Sequence, residues 1–447
     1  MSILQIHLKS FRSINFFFVF LFFYFMTIPA ELLYFKISLF KLRANHVLAL
    51  WLFVTLCLSQ NLRIADRKLF IGFLVLLSSF ILSAIQGIYP YRSFGYVLVA
   101  LFTYIIYFLL PLNLILLFDT QKILRLYFVS FLFVGTHAAL QLFLSAVGII
   151  DPFVTQYVNP IRGAGLARGQ AMTYEPSFYA LYAIPFVVYA NTKYLLETRW
   201  NFGAFFKIIG INILLLLSTS TGAFFSYFVF CSVGLSCSYL PFIRKIVAGL
   251  RRNLLVFMGG FTLIFCTIGV FFQDLFINTF YKFFKMGFFS HWSFLERWKG
   301  IVDAWNAFCQ FPLFGLGLGG VGYYQCMHTY QEGLAKIHIP TLELIEIFDP
   351  TNMFTEMLAS LGLYGLLAFS YFGWVIYRIA YKLLKNPLIS LEEKKTTVAL
   401  LFSVVVMFIC LQFNQGIFRS YIWTYLGIFV GYSLKTTANA ESKDLLV

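Results

Sequence analysis

The chain reads as all-α, a polytopic membrane protein of about 12 transmembrane helices, and three observations carry that reading. Of its 447 residues, 60% are hydrophobic and only 11% charged, whereas a soluble domain carries about 25% charged residues. Its mean hydropathy is +0.83. Apolar runs recur at about the 20 residues that a bilayer core of about 30 Å requires, and short basic clusters separate them. Together these exclude a soluble enzyme, a disordered chain and a secreted disulfide scaffold.

The first run, from Asn15 to Pro29, follows Lys9 and Arg12. It lacks a small-x-small cleavage pattern and more spans follow it, so it reads as a helix that stays rather than a signal peptide. Further spans are expected over 44–60, 69–88, 94–118, 124–150, 176–191, 203–218, 222–241, 254–275, 352–377, 397–413 and 419–434. An even number returns both termini to one side. Compact clusters such as Arg63/Arg67/Lys68, Arg244/Lys245/Arg251/Arg252 and Arg378/Lys382/Lys385/Lys394/Lys395 mark that side as cytoplasmic. The loop carrying Lys36, Lys41 and Arg43 runs against this bias.

The whole chain, 1–447, forms a single integral membrane domain on this reading. Two outer segments are longer than the other connections, a first external loop over 151–175 and a large one over 278–350. Long loops of patterned composition usually carry function. The net charge of +15 comes in clusters between spans, without the aromatic–basic face that binds strands, so no nucleic acid is expected as a partner. Cys57, Cys231, Cys237, Cys266 and Cys410 fall in apolar segments as packing residues. Cys309 and Cys326 share the large loop and leave a disulfide open.

The first external loop holds Arg162 and Arg168 among glycines and runs into Glu175-Pro176-Ser177. Proline suits the first helical position, where its missing N–H costs nothing. Glu175 then faces the positive end of the helix dipole and stays ionised. Guanidinium groups present forked donors that match a phosphate or carboxylate. The same arginines also suit lipid headgroups, with Glu175 holding one of them.

In the large loop, apolar residues at 294, 298, 301, 305 and 308 recur at helical spacing, opposite Glu296, Lys299 and Asp303. This predicts an amphipathic helix on the outer membrane surface with Trp298 and Trp305 at the interface. Arg297 borders the stripe, free to turn toward a cavity or snorkel to phosphates. Gly315, Gly317 and Gly320 match G-x-G-x-x-G, but no βαβ unit surrounds them, so they predict a sharp backbone path rather than a dinucleotide site. His328 and His338 lack a metal-ligand spacing, and neither a metal nor another cofactor is implied. His137 predicts an interhelical hydrogen bond. Arg419 borders the last external turn and offers a further cationic contact.

These features, in this order, resemble the O-antigen polymerase and O-antigen ligase superfamily of bacterial envelope polysaccharide assembly. The carrying residues are Arg168 before Glu175-Pro176-Ser177, the Ser218–Gly222 turn, Arg297 with Trp298 and Trp305, Pro312 and the Gly315–Gly320 run. Asn352, Glu356, Gly362 and Gly365 correspond to the family's re-entry into the membrane. Thr351 stands where ligases often carry His, which favours the polymerase branch.

The resemblance implies a metal-independent glycosyltransferase of the bacterial cytoplasmic (inner) membrane, with polyprenyl-diphosphate-linked oligosaccharide as substrate. Membrane lipid and a chain-length regulator are the other expected partners. The expected diphosphate contacts are Arg162, Arg168, Arg297 and Arg419, and the expected catalytic set is Glu175, Arg168 and Arg297. Glu175 either takes the acceptor's proton or orients an arginine. A ligase, or a non-enzymatic flippase for lipid-linked sugars, is the competing class.

Overall fold

In the computed structural model, the described residues are 11–37, 40–58, 62, 66–149, 151, 153, 169–196, 202–218, 220–238, 292–325, 352–413, 416 and 418–444. They form helices α1 (Phe11–Thr27), α2 (Ala44–Leu58), α3 (Arg67–Gln86), α4 (Pro90–Leu117), α5 (Thr120–Ala146), α6 (Pro176–Leu196) and α7 (Phe202–Leu216). Next come α8 (Thr221–Ser238), α9 (Trp292–Gln310), α10 (Met353–Lys385), α11 (Leu391–Cys410) and α12 (Ser420–Asp444). Eleven of the expected spans coincide with one of these helices; the span at 254–275 lies outside the described residues. Four helices (α3, α4, α5 and α10) are long and apolar enough to cross a membrane.

One departure from the all-helical expectation lies just after α1. Strands β1 (Tyr34–Ile37) and β2 (Phe40–Arg43) pair antiparallel, with Tyr34 opposite Arg43. Alternating residues of β type fill this stretch, so a hairpin forms where the sequence reading placed a plain loop.

Polar residues start the helices. Asp66 accepts from the Leu69 amide at 2.8 Å, and Asp119 caps α5 through the Gln121 and Lys122 amides. Ser390 and Glu393 form a reciprocal capping box on α11. The amides at these starts have no partner inside the helix, so each cap satisfies donors that would otherwise be stranded.

The helix ends gather in two sets. At one, here the lower end, Lys382 pairs with Glu441 at 2.9 Å, Lys193 donates to Thr396 at 3.1 Å, and Lys435 donates to the Ile115 carbonyl at 2.9 Å. These contacts tie α10 to α12, α6 to α11 and α4 to α12. At the upper end the Leu32 amide donates to the Met172 carbonyl, the Ile88 amide to the Leu316 carbonyl, and Asn352 to the Gln412 carbonyl.

The glycine-rich run is a wedge inserted at the upper end between α3, α4 and α10. Its backbone exchanges hydrogen bonds with α10. The Leu316 amide donates to the Ala359 carbonyl at 2.8 Å and the Gly317 amide to the Ser360 carbonyl at 3.0 Å. In return Leu363 and Tyr364 donate to the carbonyls of Pro312 and Leu313. Irregular backbone at membrane depth is tolerated only where protein satisfies it.

The wedge fits because α10 breaks at Gly362, whose φ of 64° and ψ of −164° are open to glycine almost alone. A Cβ there would strike the Leu313 backbone. Gly317, at φ 90°, lies against the Gly87 backbone and Ser93 in the same way. The expected sharp path is thus present, for a packing reason.

The α9 helix lies against α10 through its small residues. Ala304 and Ala307 are buried with Leu316, Val321 and Ala359. Trp298, Val302 and Trp305 stay exposed on the opposite side, which is the disposition of a surface helix whose Trp face meets an apolar medium.

Gly362→Ala is expected to lower stability by about 1–3 kcal/mol, the cost of forcing a side chain into this backbone region. Gly373→Ala, with open space around its added methyl, serves as control on the same helix. Thermal unfolding in detergent compares them; equal melting temperatures for the two variants would remove the wedge's strain argument.

Candidate functional site

Three segments that are distant in sequence meet at the upper end around one carboxylate. Glu31, in the turn after α1, is 1% exposed. Its Oε1 receives the Arg419 guanidinium in a close hydrogen bond and lies 4.0 Å from the Arg43 guanidinium at the end of β2. Its Oε2 accepts the Tyr174 amide at 3.3 Å. Glu31 therefore joins the hairpin, the segment just before α6 and the turn before α12.

Arg419 is held from a second direction. Its guanidinium carbon sits 3.7 Å from the centre of the Phe178 ring, a cation–π contact. Glu175 lies within electrostatic reach of the same guanidinium. Glu175 itself is exposed, and its Oε2 accepts the Ser177 hydroxyl at 3.0 Å. Pro176 is the first residue of α6, as its chemistry requires.

The loop end is positioned by a residue that sequence reasoning passed over. Gln141, buried in α5, accepts the Gln170 and Ala171 amides at 3.1 and 2.8 Å and donates back to the Ala171 carbonyl at 2.8 Å. Ala171 sits there at φ 52°. The Gly169 amide donates to the Leu217 carbonyl at 3.0 Å, so the end of α7, just before the Ser218–Gly222 stretch, also braces the loop.

The cluster is recessed. Phe418, next to Arg419, packs on Phe80 of α3 and Tyr96 of α4. Both lie six residues inside the upper ends of their helices, about 9 Å by helical rise. Charges at such depth in an apolar protein mark functional sites by default.

Of the residues expected from sequence, Glu175 and Arg419 lie within electrostatic reach of one another. Arg162 and Arg168 lie outside the described residues, as do His328 and His338. Arg297 is half-buried on α9. His137 pairs with Asp151 at 2.9 Å, so its partner is the start of the external loop rather than a second helix. Cys309 is an exposed free thiol, and Cys326 lies outside the described residues.

Asn352 caps α10 through the Thr355 amide at 2.9 Å and donates to the Gln412 carbonyl, while Gln412 Oε1 accepts the Phe354 amide. The re-entry residue thus ties α10 to the end of α11. Glu31 and Arg43 are the site residues the sequence reading missed. The signal was present: a lone acid beside a loop whose Lys36, Lys41 and Arg43 opposed the charge bias.

No protein-family model matches the chain, and no curated protein matches it.

Glu31→Ala would leave two inward-facing guanidinium groups without their carboxylate. Removing one partner of a buried pair costs about 3–5 kcal/mol, and with Arg419 17% exposed the lower end of that range is expected. Thermal unfolding should show the loss, and the double variant Glu31→Ala/Arg419→Ala should recover part of it. A single variant as stable as the parent would mean that the bridge holds nothing.

Proposed function

We propose that this protein is a membrane glycosyltransferase that polymerises polyprenyl-diphosphate-linked oligosaccharide repeat units into a surface polysaccharide. The reading has the chain crossing the bacterial inner membrane twelve times, with both termini cytoplasmic and the upper end facing out. What carries it is Arg419, held in the recess by Glu31 and the Phe178 ring, with the exposed Glu175 within its electrostatic reach.

In the reaction, an acceptor sugar hydroxyl attacks the anomeric carbon of the donor. The bond from that carbon to the diphosphate oxygen breaks, and the diphosphate leaves with the growing negative charge. Arginines aimed at that oxygen stabilise it where the charge develops. Arg168 and Arg297 take this role, with Arg162 and Arg419 assisting. Glu175 accepts the hydroxyl proton or keeps Arg419 in place; its Ser177 hydrogen bond and its nearness to Arg419 favour the second, in which case the hydroxyl proton leaves with the departing diphosphate.

The lipid tail has a matching surface. An apolar groove of about 500 Å³ lies between α10, α11 and α12, lined by Phe372, Tyr377, Phe408, Trp423 and Leu426 and reaching Gln412 near the upper end. Ile422 and Trp423 in its wall follow Arg419 by about one helical turn. A diphosphate at Arg419 would therefore place its polyprenyl chain over this groove.

Purified protein supplied with lipid-linked repeat units is expected to give a ladder of polymer on gels. Movement between leaflets without a ladder would make it a flippase, and single transfer to a separate acceptor a ligase. Arg168→Ala and Arg297→Ala should each cut the turnover about 100-fold or more, the usual cost of losing one transition-state donor. Normal long polymer from both would discard the assignment.

A further inference from the structure

Away from the Glu31 cluster, Arg92 in the first turn of α4 stands at the upper end without an acid. It is half-buried, and no carboxylate among the described residues pairs with it. Its guanidinium carbon lies 5.7 Å from the centre of the Tyr96 ring, one turn further down the helix. The wedge holds it there. A Cβ on Gly319, itself at φ 72°, would come within 2.7 Å of Arg92 Nε and 2.5 Å of the Tyr96 ring. Tyr89, at the cap of α4, stacks on Tyr323 with ring centroids 5.6 Å apart. A guanidinium held by packing keeps its forked donors unspent.

Below this cation the surface of α4 is apolar and open. Tyr91, Phe94, Leu98 and Val99 are exposed, and Val99 stands two turns below Arg92 on the same line of the helix. Gly95 interrupts this stripe, with Tyr91 and Val99 one turn to either side. A Cβ placed on Gly95 would meet nothing within 4 Å, so the missing side chain leaves an indentation just under Arg92. Tyrosine and a cation above, then hydrocarbon, is the order of environments at the rim of a bilayer.

We infer that Arg92 and the indentation at Gly95 form a binding site for one phospholipid. Its phosphate lies on the guanidinium, and an acyl chain runs over Gly95 and Leu98. The charge fits, because one cation matches the single negative charge of a phosphodiester, whereas a diphosphate carries more. Tyr96 passes the effect inward: its ring also packs on Phe418, beside Arg419, so a seated lipid braces the floor of the recess. The site is independent of the glycosyltransferase reading.

The test uses delipidated full-length protein in detergent, titrated with phosphatidylglycerol or with diacylglycerol, which has the tails without the phosphate. Native mass spectrometry counts bound lipid, and thermal unfolding reports its effect. Phosphatidylglycerol should bind and raise the melting temperature, and diacylglycerol should bind about tenfold less tightly. Arg92→Gln should weaken phosphatidylglycerol about tenfold, in keeping with one charge-assisted hydrogen bond, and leave diacylglycerol unchanged. Arg92→Lys, which keeps the charge without the fork, should fall between. Gly95→Leu fills the indentation. It replaces a helical glycine in open space, so the lipid-free variant should melt at the parent temperature or above yet lose affinity for both lipids.

Unchanged phosphatidylglycerol affinity in either Arg92→Gln or Gly95→Leu would overturn the site. Equal binding of the two lipids to the parent would overturn its phosphate recognition. Farnesyl diphosphate that displaces the Arg92-dependent phosphatidylglycerol at a lower concentration would make a diphosphate lipid the occupant and overturn the phospholipid assignment. None of these outcomes depends on whether the protein makes a polymer ladder.

Discussion

The buried carboxylate of Glu31 is the constraint on which the upper end depends. At about 4 Å, two unit charges attract by about 1 kcal/mol in water and about 4 kcal/mol at an effective dielectric near 20. The recess moves Glu31 from the first regime toward the second, so one short side chain can hold three segments that share no helix. It acts beside the Leu32–Met172 backbone bond and the Ser420 hydroxyl's bond to the Ile28 carbonyl, which register the same three segments. Desolvation opposes the arrangement, and the extra hydrogen bond from Tyr174 and the Phe178 ring contact are what offset it.

A second constraint acts beside it through backbone rather than charge. The wedge around Gly317 brings irregular chain into contact with α3, α4 and α10, and the Leu316, Gly317, Leu363 and Tyr364 amides find carbonyls across the gap. Breaking α10 at Gly362 costs it helical hydrogen bonds, which the strand-like exchange with Pro312 and Leu313 replaces. The result fixes the upper ends of α3 and α4 relative to α10. It also fixes Phe80 and Tyr96, the floor on which Phe418 sets the depth of Arg419.

Most of the helices were legible because a bilayer imposes length and apolarity together, which few soluble folds imitate. The start of α6 was legible for local reasons, since Pro176 has one natural place in a helix. The hairpin was not, because eight residues of mixed polarity carry no signal that outweighs a loop. The length of α11 was missed at its lower end, where Glu392 to Thr396 look like loop but form a capped first turn. The site divides similarly. Glu175 and Arg419 each announced themselves by position, but nothing in spacing could show that Glu31, almost 400 residues before Arg419, is the group that joins them. Long-range pairing of single charges leaves no periodicity. The only trace was a basic loop on the side where basic loops are disfavoured.

That trace has a physical explanation. On the proposed topology the hairpin lies outside, where positive residues are unfavourable for orientation, so Arg43 persists there only if its charge is used locally. Glu31 consumes part of it and cannot consume all, because Arg419 occupies the same oxygen more closely. On the proposed reading, α12 then connects the two halves of one lipid substrate: Arg419 at its start meets phosphate, and Trp423 and Leu426 just below meet hydrocarbon. A site for an anion with a long apolar tail needs this sequence of environments along one direction. Helix α12 supplies it within two turns.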